Sequence, residues 1–281
     1  MASIKIRMLI FHLCCATLDI FLTLICCPVL TFPVIAGYPL GIGYLLDIPS
    51  SFYYFFGVTF VGILAYVIAV FFENRYQTLR GNMNYGWKRK LYYFLYGLYS
   101  FTFFIPAFND IPDPDMAKVM IREKLPCLSP DIPDKYGFFV LSFDPTRMCL
   151  ALLTTLVLAL GQQSYFIHKC VQYFRSNTSV SKNTMALQKQ FFIGFMIQVF
   201  VPLFVLATPV AYIIIVGFAN FYNQRYDNIS MFIIATHGIL STIVMLLVHR
   251  PYREATVAMF SRKKKVNRVF ITSSNVNSTI G

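Results

Sequence analysis

Two ionisable residues interrupt long apolar stretches of this 281-residue chain, and they stand at nearly the same depth. Asp19 lies about 11 residues inside the first apolar run, roughly 16 Å by helical rise. His237 lies about 12 residues from the matching end of the last run. Ionisable groups in hydrocarbon are costly and mark a functional site by default. Equal depth predicts that Asp19 and His237 face one another, with Ser241 one helical turn away as a further hydrogen-bond partner. The alternative is that each satisfies itself separately, through water or backbone carbonyls. Such a pair suits a proton or ion relay.

Three other groups of residues carry possible chemistry or motion. Glu73-Asn74-Arg75-Tyr76 closes the second apolar run, and an acid beside an arginine there can form a latch between helices that breaks on activation. Pro202 and Pro209 fall inside the fifth run. Each removes a backbone donor and bends a helix, which predicts a hinge, with Gln198 one turn earlier to bond the freed carbonyls. Equally, such prolines occur in static membrane helices. Cys127 and Cys149 are placed for an outer-loop disulfide in an oxidising compartment. The remaining cysteines, Cys14, Cys15, Cys26, Cys27 and Cys170, read as small packing residues.

The elements that must position these residues are six apolar runs at 9–34, 52–72, 91–107, 148–166, 191–218 and 229–248. Each approaches or exceeds the roughly 20 residues that cross about 30 Å of hydrocarbon. With 57% hydrophobic residues, the expected fold is an all-α, polytopic membrane bundle of six transmembrane helices, spanning residues 1–250. Charge then assigns the sides. Eighteen of the 24 Lys and Arg fall at the N-terminus, in the second and fourth connections and in the tail, while nine of the twelve acids fall in the other loops. Basic loops remain cytoplasmic, so both termini are expected inside.

The net charge of +12 is explained by that orientation and by contact with anionic membrane lipid, and nucleic acid is not an expected partner. No Walker A sequence, nucleotide-binding glycine motif or paired-histidine metal motif is present. No enzymatic activity and no cofactor are therefore expected. The first run is too long for a signal h-region and contains Asp19, so it should act as its own insertion signal.

The outer connection at 109–146 is long, acidic and punctuated by proline. Within it Asp115–Lys124 reads as a short helix and Phe138–Phe143 as a strand, packing together as a lid. The sequons at Asn177 and Asn277 fall inside, and Asn228 lies outside but against the membrane. The basic cytoplasmic tail at 251–281 has two readings. Either Tyr252, Ala255, Met259 and Phe260 line an interfacial helix beside Arg262–Lys265, or the segment is simply solvated. Ile271–Gly281 reads as disordered.

Several short segments together resemble the nematode serpentine chemoreceptors of class H, within the seven-helix G-protein-coupled receptors. They are Pro33–Gly41, Phe71-Phe72-Glu73-Asn74-Arg75-Tyr76, Leu125-Pro126-Cys127, Lys189-Gln190-Phe191-Phe192 leading to Gln198 and Pro202, and His249-Arg250-Pro251-Tyr252-Arg253. The resemblance covers about Met1 to Arg253. It implies small-molecule or peptide sensing in ciliated chemosensory neurons, a plasma-membrane or ciliary location, and coupling to a heterotrimeric G protein. It also implies that Glu73, Arg75 and Tyr76 serve as the acid–Arg–Tyr element, although Asn74 separates the acid from the arginine. The fifth run would be the family's sixth helix, whose hinge opens the G-protein cleft. Ser3–His12 resembles the entry to the family's second helix, so the first helix is expected to be missing.

The leading expectation is thus a chemosensory receptor whose ligand enters beneath the 109–146 loop. Two rivals stand beside it. One is a six-helix transporter or channel with an Asp19–His237 relay; the other is a truncated, non-signalling receptor fragment or incomplete gene product.

Overall fold

The computed structural model describes residues 2–81, 86–176, 181–248 and 253–259. Six of its helices are long and apolar enough to cross a membrane. They are α1 (Ala2–Ile20, continued by a π-helical turn Phe21–Cys26), α2 (Ser50–Arg80), α3 (Trp87–Thr102, followed by a 3-10 turn at Ile105–Asp110), α5 (Thr146–Ser176), α6 (Lys182–Ala219) and α7 (Gln224–Val248). A short helix, α4 (Pro114–Lys124), lies in the 109–146 connection, with a strand β3 at Phe139–Ser142. The sequons at Asn177 and Asn277, Arg250–Tyr252 and the tail from Phe260 onward lie outside the described residues. Residues 253–259 form one exposed helical segment.

The helices stop where local chemistry stops them. At the end of α2, Gly81 takes φ +69° and donates its N–H to the Gln77 and Thr78 carbonyls, a glycine-type C-cap. Asp113 caps α4 by accepting from the Asp115 and Met116 N–H groups, and Pro114 opens the first turn. At the start of α5, the Asp144 carboxylate accepts from the Thr146 hydroxyl and backbone N–H, which lowers its pKa below the usual carboxylate value.

The first span differs from expectation at its upper end. The apolar run continues to Val34, but the helical backbone ends at Cys26. Pro28 disfavours right-handed helix at the preceding residue, and Cys27 adopts φ 43°. The chain then turns into β1 (Pro28–Leu30) and β2 (Ile35–Pro39), in which Val29, Ile35 and Tyr38 favour the extended backbone. β1 pairs with β2 antiparallel (Val29 opposite Tyr38), and β2 pairs with β3 (Ala36 opposite Val140), with an irregularity between Ile35 and Ala36. A three-stranded sheet therefore caps the acidic end of the otherwise helical bundle. Apolarity alone could not distinguish this strand segment from more helix.

The central core gathers Phe11, Leu18, Phe72, Phe195 and Val199 from α1, α2 and α6. Phe71 stacks on Phe195 at a centroid distance of 4.1 Å. Without a hydrophobic drive between helices in lipid, close approach depends on small residues. Gly62 is one: a Cβ there would strike the Ser100 carbonyl of α3. Replacing Gly62 with leucine should force α2 and α3 apart and cost about 2 kcal/mol. Thermal unfolding of the purified protein in detergent measures this, and an unchanged midpoint would refute the close-approach assignment. Lowering the pH should weaken the α5 cap: the depressed Asp144 pKa means its stabilising contribution is intact above the unfolded carboxylate pKa and disappears as pH falls through the folded value. A Thr146→Val variant keeps the backbone donor and should lose the hydroxyl's share of that acid sensitivity in the same unfolding assay.

Candidate ligand cavity and its polar contacts

Beneath the sheet lies a cavity of about 150 Å³. Phe21 and Leu22 of the π turn, Leu30, Phe32 and Ile35 of the sheet, Tyr53, Tyr54 and Gly57 of α2, Met148 of α5, Ile213 of α6 and Met231 of α7 are among its walls. No Asp, Glu, Lys, Arg or His lines it among the described residues. Its polar side chains are Ser50, which donates to the Gly137 carbonyl, and the phenols Tyr38, Tyr53 and Tyr54. Tyr53 is 4% exposed, and the hydroxyl oxygens of Tyr53 and Tyr54 are buried without a hydrogen-bond partner among the described residues. An unpaired buried hydroxyl costs about 1–3 kcal/mol, so both favour a guest that can bond to them.

One carboxylate ties the lid over this cavity. Asp227, in the first turn of α7, is 0% exposed. It accepts from the Phe32 backbone N–H at 3.1 Å and from the Tyr212 hydroxyl of α6 at 2.9 Å. Beside it, Gln224 Nε2 donates to the Leu30 carbonyl at 2.8 Å. The β1–β2 turn, α6 and α7 thus meet at a single acid. Asp227 precedes the 229–248 run, so by sequence it is one of the outer-loop acids; only its position on the inward face of α7 reveals the role.

Deeper in the bundle Asp19 and His237 do meet. His237 is 0% exposed, and its Nδ1 lies 3.2 Å from Asp19 Oδ1 and 2.6 Å from the Ile234 carbonyl. A carbonyl only accepts, so Nδ1 carries the proton and donates it to the Ile234 carbonyl, while Asp19 Oδ1 lies close by with no hydrogen-bond partner among the described residues. Gly238 permits this approach, because a Cβ there would overlap the Asp19 carboxylate. Ser241 is also fully buried on the same helix, but its hydroxyl has no hydrogen-bond partner among the described residues. It therefore does not complete the Asp19–His237 contact.

At the basic end, Glu73 and Arg75 take separate partners. Glu73 pairs with Arg89 of α3 at 2.8 Å and accepts from the Tyr93 hydroxyl. Asn74 Oδ1 accepts from the same Arg89, which gives the residue between acid and arginine a use of its own. One residue further round α2, Arg75 points to α6, its guanidinium 4.9 Å from the Phe191 ring centroid. Tyr76 packs at a tilt on Phe166 and accepts from Arg80 at 3.3 Å. The expected acid–arginine latch is thus divided: the acid joins α2 to α3 and the arginine joins α2 to α6. Adjacent helical residues point about 100° apart, so an acid and an arginine two positions apart cannot readily share one partner.

The hinge and disulfide expectations fare differently. α6 is helical throughout Lys182–Ala219, with Pro209 buried inside it. The side chains of Gln198 and Pro202 lie outside the described residues. Cys127 and Cys149 are separate free thiols, the first exposed and the second buried. No bridge joins them: Cys149 Sγ faces Gly217 of α6, whereas Cys127 lines an outer depression with Tyr222 and Lys124.

The sequence profile of the family described as serpentine type 7TM GPCR chemoreceptor Srh matches residues 1–262. Serpentine receptor class H-72 of Caenorhabditis elegans is 24% identical over 261 residues, covering 89% of this chain and 73% of that protein. No solved structure gives a significant match.

Two variants test the contacts. Asp227→Ala should release the lid, raising amide hydrogen exchange across residues 28–39 about tenfold or more while α2 and α5 stay protected. In a double-mutant cycle of Asp19→Asn with His237→Ala, unfolding free energies should show a coupling of about 1 kcal/mol. Additive losses would mean that proximity carries no energy.

Proposed function

Starting from a chain that belongs to the serpentine 7TM GPCR chemoreceptor family Srh, we propose that it detects a small, neutral, largely apolar molecule held beneath the three-stranded sheet. As an integral membrane protein of a G-protein-coupled receptor family, it has a G protein and a ligand as its general partners. The observation that carries the finer reading is the cavity, which among the described residues has apolar walls, two unpartnered tyrosine hydroxyls and no charged side chain. An ammonium or carboxylate placed there would be desolvated without a counter-charge. A volume of about 150 Å³ is what accommodates a benzene-sized guest in an engineered protein cavity.

Signalling follows from which helices the guest touches. The cavity is walled by the lid and by the outer halves of α6 and α7, which Asp227 joins. A ligand that favours one arrangement of this junction shifts the equilibrium of α6. At the other end of α6, Phe191 covers Arg75, and its displacement uncovers a basic group for a G protein. Pro209 supplies a site at which α6 bends between the two. The basic loops then face the cytoplasm at a plasma or ciliary membrane.

Expression in a G-protein reporter cell line, challenged with small alcohols, ketones, esters, amines and carboxylates, tests this reading. Neutral members should activate. Gly57→Leu fills the cavity and should abolish the response at unchanged surface expression, since nothing closer than an ordinary contact opposes its Cβ. Tyr53→Phe should weaken potency about tenfold for a hydrogen-bonding agonist. Activation confined to charged ligands, or a Gly57→Leu receptor with full potency, would overturn it.

A further inference from the structure

The outward face of the bundle between α3 and α5 is not smooth. A groove of about 430 Å³ runs there, with Gly161 in its floor and the rings of Tyr92, Tyr165 and Phe166 among its walls. It faces the bilayer rather than the interior: Val157 and Tyr165 are 60% and 55% exposed. No atom stands within 4 Å of where a Gly161 Cβ would be, so the floor is open to an occupant.

The groove carries one polar handle. Tyr92 donates its hydroxyl hydrogen to Gln162 Oε1 at 3.0 Å. The Gln162 amide nitrogen has no hydrogen-bond partner among the described residues. In hydrocarbon an amide N–H₂ without an acceptor is costly, so its presence on a lipid-facing wall calls for an oxygen from outside the chain. Tyr92 lies five residues past Trp87, and Gln162 five residues before Ile167, roughly 7 Å inside the basic end of the bundle by helical rise. At that depth an incoming lipid presents hydroxyl or ester oxygen, not phosphate. Beyond it Lys169 lies along the Tyr165 ring, 5.6 Å from its centroid, at the level of the headgroups.

We propose that this groove is a binding site for a sterol: a rigid, flat lipid whose single hydroxyl accepts from Gln162 and whose rings lie on Gly161 between the aromatic walls. Aromatic faces and a glycine floor complement a planar ring system, and one uncharged handle complements one hydroxyl. A flexible acyl chain would use neither feature. The site is separate from the ligand cavity and does not rest on the reading of that cavity.

The test uses the full chain in phosphatidylcholine nanodiscs with a photoreactive sterol that retains its 3-hydroxyl, and maps the adducts by mass spectrometry. Labelling should concentrate on residues 157–166 and fall when unlabelled sterol competes. Gln162→Leu, which removes the handle, should reduce it about fivefold to tenfold. Gly161→Leu fills the floor and should abolish it, with size-exclusion behaviour and helical circular dichroism confirming a folded protein. A photoreactive phosphatidylcholine probe is run in parallel. The proposal is overturned if the phospholipid labels the groove as strongly as the sterol does. It is also overturned if sterol adducts spread evenly over all lipid-facing helices, or if both variants label like the parent chain.

Discussion

A carboxylate withdrawn from water must find its partners within the chain, and three of them help to join this bundle. Asp19 draws α1 to α7 through His237. Glu73 draws α2 to α3 through Arg89 and Tyr93. Asp227 draws the sheet to α6 and α7 through Phe32 and Tyr212. Lipid gives helices little hydrophobic reason to associate, so packing of small residues and polar contacts must supply the specificity. Asp19 sits where a missing side chain admits it, at Gly238. Breaking one partner of a buried pair costs several times what the intact pair contributes, which makes these junctions discrete rather than graded.

That discreteness bears on signalling. The ligand cavity and the basic end of the bundle are far apart, but both touch α6. At its outer end α6 is bonded to the Asp227 junction, and near its inner end Phe191 covers Arg75. Helix α3, by contrast, is tied to α2 at Glu73 and by the close approach at Gly62. Helix α6 packs on α7 and α5 along its length and on α2 through Phe71 and Phe195. In the proposed mechanism, occupancy of the cavity biases how α6 sits against the α2–α3 pair.

The sheet has a different origin from the helices. Its strands begin at Pro28, follow Pro33 or lie between proline-rich turns, where helix is interrupted, and they lie at the acidic end where irregular backbone can be hydrated. Pairing the three strands satisfies their backbone groups above the cavity. Within the stretch that lengthens the first apolar run beyond what a helix needs, Leu30 and Phe32 thereby become part of the roof of the candidate ligand cavity.

What the sequence determined by itself was local in character. Span number and the extra helix and strand of the 109–146 connection follow from apolar length and periodicity, each summed along a short window, and charge bias sets the side expected for each loop. Asp19 and His237 were legible as a pair because depth along two helices can be counted from their ends. Tertiary structure decided everything that depends on helix rotation. It turned Asp227 inward to the lid, sent Glu73 to Arg89 while Arg75 went to Phe191, left Ser241 outside the pair, and kept Cys127 and Cys149 apart. The physical reason is that a side chain's partner is fixed by its angle about the helix axis and by which neighbour lies there, and neither quantity is contained in a single segment.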